Sequence, residues 1–268
     1  MRQATLTLLA GLLGAGALGG QALSARAEPL QIGYDITLAG LPVMDADITV
    51  ERGDGSYRAH LRTDLSGLIG QIKKFTLISD TRGDVVQGAL APVHYTTENE
   101  DRKRREASVT YEGDGQGAKV EADPPPEDDN REPVPEAQVA AAVDPLTAFL
   151  AGLAIVDRDG ACHGSMTVFD GRRLFGLTLH NADAVTVPSG FGLGPQARAM
   201  ACRVEVAHLA GFKSSELRKK TFPDEIRVTL ASNTGQAPWI PVSLSLETGL
   251  GRFAATLSSL SGLVAERR

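Results

Sequence analysis

Apolar and polar residues alternate with a period of two along most of the chain, the signature of half-buried β-strands. Ile32, Tyr34, Ile36 and Leu38 share one face, and Met44, Ala46, Ile48 and Val50 repeat the pattern. The short link through Gly40, Leu41 and Pro42 predicts an antiparallel hairpin between them. Gly53 to Ser56 forms the next turn, after which Tyr57, Ala59 and Leu61 resume the alternation. Further short strands are predicted over 75–79, 93–97, 107–112, 165–170, 174–180, 201–209, 225–231, 242–246 and 253–257, with a turn at Asp170 and Gly171. Phe175, Leu177 and Leu179 face inward on one of these, and Cys202, Val204, Val206 and His208 share a face of another. The period changes convincingly at one place only. There Asp144 reads as an N-cap, Pro145 as the first helical residue, and Leu146, Phe149, Leu150 and Leu153 as one apolar helical face. A dozen or so antiparallel strands, one short helix and no β-α-β rhythm predict a mainly β fold of the barrel, roll or sandwich group.

Two stretches fall outside this pattern. Residues 1–27 read as a secretory signal: Arg2 supplies a positive start, Leu6 to Leu18 an apolar run, and Ala25, Arg26 and Ala27 a small-x-small site that predicts cleavage after Ala27. The run is interrupted by Gly11, Gly14 and Gly16 and falls short of the roughly 20 apolar residues that span a bilayer. No later segment is apolar enough to span either, so the expectation is a periplasmic protein with a single domain over 28–268. The second stretch, 113–143, contains Pro124, Pro125 and Pro126 followed by Glu127, Asp128 and Asp129. It predicts an exposed loop that tolerates deletion.

Charge and cysteines narrow the function classes. Arg2 and Arg26 leave with the signal, which moves the formal net charge from −6 to −8 and argues against nucleic acid as a partner. Cys162 and Cys202 are the only cysteines, and both segments read as strands. In an oxidising compartment a disulfide is the simplest reading, closing a loop of about 40 residues and contributing roughly 3 to 5 kcal/mol. A thiol site beside His163, or a metal pair, is the rival.

Catalytic motifs find little support. The run Gly190, Phe191, Gly192, Leu193, Gly194 lacks the Lys-Ser/Thr and the following helix of a phosphate loop. His60, His94, His163, His180 and His208 show no metal-binding spacing, and no nucleophile elbow is present. No cofactor is implied. The basic tip of Arg102, Lys103, Arg104 and Arg105, between Glu100, Asp101 and Glu106, is a mixed-charge hairpin end. Its sharper reading is contact with anionic lipid head groups or an acidic partner. The same holds for Lys213, Arg218, Lys219 and Lys220.

Several short motifs occur in a telling order: Tyr34-Asp35, Pro92-Val93-His94-Tyr95, Asp144-Pro145-Leu146, Phe169-Asp170-Gly171-Arg172-Arg173 with Phe175-Gly176-Leu177, and Pro241 through Gly249-Leu250-Gly251. In these the chain resembles the exported bacterial domain of unknown function 3108 family. The resemblance implies a periplasmic protein with a curved antiparallel β-spiral or half-open barrel and an envelope role, and it supplies no catalytic residues. Three classes of function follow. The leading one is a non-enzymatic periplasmic protein supporting the cell envelope by binding a protein partner, or an apolar or lipid ligand, on a concave β surface. The others are an envelope hydrolase or transferase whose site forms only in three dimensions, and a structural scaffold.

Overall fold

The alternation becomes one antiparallel sheet of thirteen strands in the computed structural model, which describes residues 28–100, 104–113, 117–183, 197–233 and 238–262. The signal stretch 1–27, Arg102, Lys103 and the Gly190–Gly194 run lie outside the described residues. The strands are β1 (Leu30–Leu38), β2 (Leu41–Gly53), β3 (Ser56–Leu65), β4 (Thr76–Val86), β5 (Ala89–Glu100), β6 (Arg105–Tyr111), β7 (Ala118–Asp123), β8 (Ser165–Phe169), β9 (Leu174–Asn181), β10 (Arg198–Ala210), β11 (Glu225–Ser232), β12 (Ile240–Thr248) and β13 (Gly251–Ser261). Four short helices join them: α1 (Gly67–Ile72), α2 (Glu136–Ala140), α3 (Pro145–Asp159) and α4 (Ser214–Lys219). Strand order is β7-β6-β5-β4-β3-β2-β1-β13-β12-β11-β10-β9-β8, so two meanders meet where β13 pairs with β1.

A twisted sheet this wide curls on itself. Its two ends come together: Phe169 and Leu174 of the last strands pack in one cluster with Tyr95, Val109 and Tyr111 of β5 and β6. The β8–β9 turn completes the approach. Gly171 (φ +91°) lies so close to the Ala107 side chain that a Cβ there would come within 2.6 Å of it. Arg172 donates to the carbonyls of Glu106, Asp123 and Pro124 at 3.1, 2.8 and 2.9 Å.

The seam between the ends is filled by the stretch expected to be an exposed loop, and that expectation is corrected. Within 113–143, β7 pairs with β6 and buries Ala118, α2 buries Val139 completely, and Val143 bridges β8 in parallel through Val143 N to Thr167 O and Phe169 N to Val143 O. Glu127 and Asp128 of the acidic run stay exposed, but distant segments bring cations to its last member and bury it. Asp129, 5% exposed, accepts from Arg131 (3.0 Å), Arg105 (2.9 Å) and Lys213 (2.6 Å), and Arg131 holds Glu216 of α4 at 2.6 and 2.8 Å. Those partners lie up to 85 residues away in sequence, so composition alone could not reveal them.

The predicted helix is α3, longer than expected at 15 residues. Asp144 caps it, Pro145 begins it, and Gly160 in the left-handed region (φ 65°) ends it. One side, with Leu146 and Leu150, packs on Val50, Tyr57 and Ala59. The other side faces β8 to β12.

Candidate functional site

Register builds the site. Leu179, Val204, Ile226 and Leu246 are successive cross-strand partners over β9 to β12, and Cys202, Val228 and Leu244 form a second row beside them. Both rows face α3, whose Ala148 and Gly152 stand four residues apart on one face and leave room above them. The result is a cavity of about 390 Å³. Phe149, Leu153 and Val156 complete its roof, and no ionisable side chain lines it. A Cβ at Gly152 would meet only Leu179 Cδ2, at 3.6 Å.

The two ends of the cavity differ. At one, Cys202 lines the wall and lies at disulfide distance from Cys162, with Cα atoms 5.7 Å apart. Cys162 sits in the turn after α3 rather than on a strand as the pattern suggested, so this pair ties the helix terminus to β10. At the other end, Phe222 packs edge-on against Phe175 (5.1 Å between ring centroids) and Phe212 (5.2 Å), with the Arg173 guanidinium 4.6 Å from the centre of its ring. His208 closes this group, stacking on Phe212 and meeting Pro223 O at 3.1 Å.

Beneath the opposite face of α3 lies a buried polar cluster. Asp144 is fully buried and accepts four hydrogen bonds: Leu146 N (3.0 Å) and Thr147 N (2.9 Å) on Oδ1, Thr147 Oγ1 (2.5 Å) and Thr81 Oγ1 (2.9 Å) on Oδ2. Tyr57 donates to Thr147 Oγ1 at 2.7 Å. Burial pushes the Asp144 carboxyl above its ordinary range, against the pull of these donors. The cluster resembles a catalytic group only in composition. Its carboxylate is saturated by cap and threonine donors and has no exposed surface, so it holds the helix start in place.

The other candidates are engaged locally. His60 meets Asp80 at 2.7 Å, His94 meets Thr110 at 3.1 Å, His163 meets Asp159 at 2.8 Å, and His180 lies 3.6 Å from Glu205. No cluster of three or more metal-ligating side chains occurs among the described residues. In the basic tip, Arg104 pairs with Glu98 (2.6 Å) and Glu106 (3.3 Å), while Arg105 is drawn inward to Asp129. Lys213 is likewise spent on Asp129, whereas Arg218, Lys219 and Lys220 are exposed. A groove of about 500 Å³ elsewhere carries the ionisable side chains Arg58, His60, Asp80, Arg82 and His94, whereas the space under α3 is lined by none.

Among known proteins, the model of a family described as Protein of unknown function (DUF3108) matches residues 33–258. The chain belongs to this family. The match spans the sheet from β1 to β13 and includes every cavity wall. A crystal structure of a beta-barrel-like protein of domain of unknown function DUF1849 from Brucella abortus is similar in fold, with a TM-score of 0.51 at 14% identity, covering 88% of this chain and 98% of that one. No curated protein matches the sequence. The barrel-like neighbour agrees with this chain in architecture; neither it nor DUF3108 membership assigns chemistry to the cavity.

Of the cavity walls, Phe175, Leu177 and Leu179 and the face of Cys202, Val204 and Val206 were legible as strand alternation. The space itself was not, because it depends on Ala148 and Gly152 turning toward β9 to β12 rather than toward β3. Two small residues at i and i+4 of an otherwise bulky helical face were the available signal.

Proposed function

We propose that the protein is a non-enzymatic periplasmic factor of the cell envelope that holds an apolar, lipid-like ligand between α3 and the β8–β12 half of its sheet. The observation that carries the reading is the cavity of about 390 Å³ lined by aliphatic and aromatic side chains. Small-molecule sites occupy about 300–1,000 Å³, and a dry apolar cavity of about 150 Å³ already accepts benzene. The chemistry of the walls selects methylene groups. Each buried CH₂ contributes about 0.8 kcal/mol, so ten would supply about 8 kcal/mol, equivalent to a micromolar Kd. The leader-like residues 1–27 and the cysteine pair at disulfide distance support an extracytoplasmic compartment.

Native mass spectrometry with solvent extraction of protein recovered from the periplasm tests the reading, followed by titration of the delipidated protein with a fluorescent fatty acid. A co-purifying acyl compound, or saturable micromolar uptake of the probe, is expected. Empty protein that takes up no probe would overturn it.

A further inference from the structure

The strand connections at one end of the sheet form a continuous rim. Gly67 of α1 packs on the Pro42 carbonyl, Ala39 N donates to Arg252 O at 2.8 Å, and Gly249 N donates to Lys220 O at 2.8 Å. The sequence α1, β1–β2 turn, β12–β13 turn and α4 is therefore contiguous in space. This rim carries the most exposed large apolar side chains among the described residues: Ile72 (87%), Leu68 (79%), Leu41 (70%) and Leu250 (66%). Leu68 and Ile72 stand four residues apart on one face of α1. Lys73 and Lys74 follow them directly, and Arg218, Lys219 and Lys220 sit at the other end of the rim, all exposed.

A single exposed leucine needs no explanation. Here the apolar tips stand on α1 and on two separate turns with cations beside them, in a chain whose net charge is −6. A protein partner would favour a flat, contiguous apolar patch. A fluid interface accepts isolated tips, each entering the acyl boundary while neighbouring lysines meet anionic head groups. The cavity borders the same rim. Phe222 and Leu246 line it and also line a recess of mixed charge, where Lys220, Arg227 and Arg252 stand among Asp224, Glu225 and Glu247.

We propose that this rim docks the protein on an anionic lipid bilayer, with Leu41, Leu68, Ile72 and Leu250 inserting and Lys73, Lys74, Lys219 and Lys220 contacting lipid phosphates. The inference goes beyond ligand binding and does not depend on it. Docking needs only the rim, and the cavity adds a place from which a lipid chain could be exchanged at the surface.

Vesicle sedimentation of the full chain recovered after export tests it, using phosphatidylcholine alone or mixed with phosphatidylglycerol. Binding to the mixed vesicles only, weakened by salt, is expected. Lys73→Glu with Lys74→Glu should lower the partition coefficient at least about 25-fold, about fivefold for each cation removed. Leu68→Ser with Ile72→Ser should lower it comparably. All four side chains are exposed, so far-UV circular dichroism and melting should stay unchanged. As a second readout, the emission of Leu68→Trp should shift to the blue on mixed vesicles. Equal binding of the charge variant, equal binding to neutral vesicles, or an unshifted tryptophan would overturn the proposal. So would a co-purifying polypeptide that the same variants release while no vesicle binds. Fatty-acid uptake measured without vesicles should survive in the rim variants, so failure of docking and failure of the cavity reading remain distinct.

Discussion

Replacing Gly152 by leucine separates an open cavity from a solid core by the sign of its effect. Glycine inside a helix costs roughly 0.8–1.0 kcal/mol relative to alanine, and leucine is nearly as good a helix former as alanine. The new Cβ has one neighbour, Leu179 Cδ2 at 3.6 Å, and the rest of the side chain enters apolar space. Deleting one leucine side chain elsewhere has left a cavity of about 150 Å³, so the substitution should consume more than a third of the 390 Å³ here. Burying a leucine contributes about 1.5–3 kcal/mol when room exists. Even with half of that lost to imperfect packing, the delipidated variant should gain about 2 kcal/mol, raising Tm by roughly 4–8 °C in a domain of this size. Fatty-acid uptake should fall at least about tenfold. Gly152→Ala should raise Tm by a smaller step and keep uptake. Differential scanning calorimetry and probe titration on the same samples make the comparison. A lower Tm for the leucine variant, the signature of overpacking by about 1–3 kcal/mol, would refute the open cavity. A raised Tm with uptake intact would place the ligand elsewhere.

The packing makes further outcomes testable. Cys162→Ala with Cys202→Ala opens a span of 40 residues and should cost about 4 kcal/mol, read by urea denaturation; reductant should reproduce the loss in the parent protein and leave the variant unaffected. Asp129→Ala strands Arg105 and Lys213, leaves Arg131 with Glu216 as its remaining ion pair, and should cost about 3–5 kcal/mol, and deletion of 124–131 should abolish folding. The Asp129 and Glu216 carboxyls feel burial pushing them up, but their Lys213 and Arg131 hydrogen bonds outweigh it and hold both below the usual carboxylate range. Their contribution is therefore present above the ordinary carboxylate pKa of about 4 and lost as pH falls through and below it; a flat stability profile from pH 6 to pH 3 in Asp144→Asn, which removes the opposing titration, would contradict this. Asp144 runs the other way, because its raised carboxyl keeps a proton in the folded state that the unfolded chain releases, so stability declines as pH rises above the ordinary value. Asp144→Asn should remove that decline while retaining the cap, whereas Asp144→Ala should cost about 2–4 kcal/mol by losing the cap and stranding the Thr81 and Thr147 hydroxyls; equal losses in the two variants would contradict the assignment.

Legibility from sequence followed the range of the interaction. The alternation at Ile32 to Leu38 and at Phe175 to Leu179, and the Asp144-Pro145 cap, are dictated by neighbours a few residues apart, and the strands and α3 lie where those patterns put them. The stretch 113–143 was misread because its order comes from Arg105, Lys213 and Glu216, which topology alone brings to Asp129 and Arg131. The short helices α1 and α4 escaped for a related reason. α4 leans on Glu216 accepting from Lys213 N at 3.0 Å and on its link to Arg131 rather than on an apolar face. Of the basic residues singled out for contact, Arg105 and Lys213 serve the seam, and the exposed set at α4 gained meaning only when the fold placed α1 and Leu250 on the same rim.

The pairing of β1 with β13 joins Gln31 to Ser261 across 230 residues. Neither meander can find its central neighbour until the last strand exists, and such distant pairings form slowly. Until β13 has been made, β1 has only β2 beside it. Delay of this kind would serve the export proposed above, because the fold latches only after its tail has arrived.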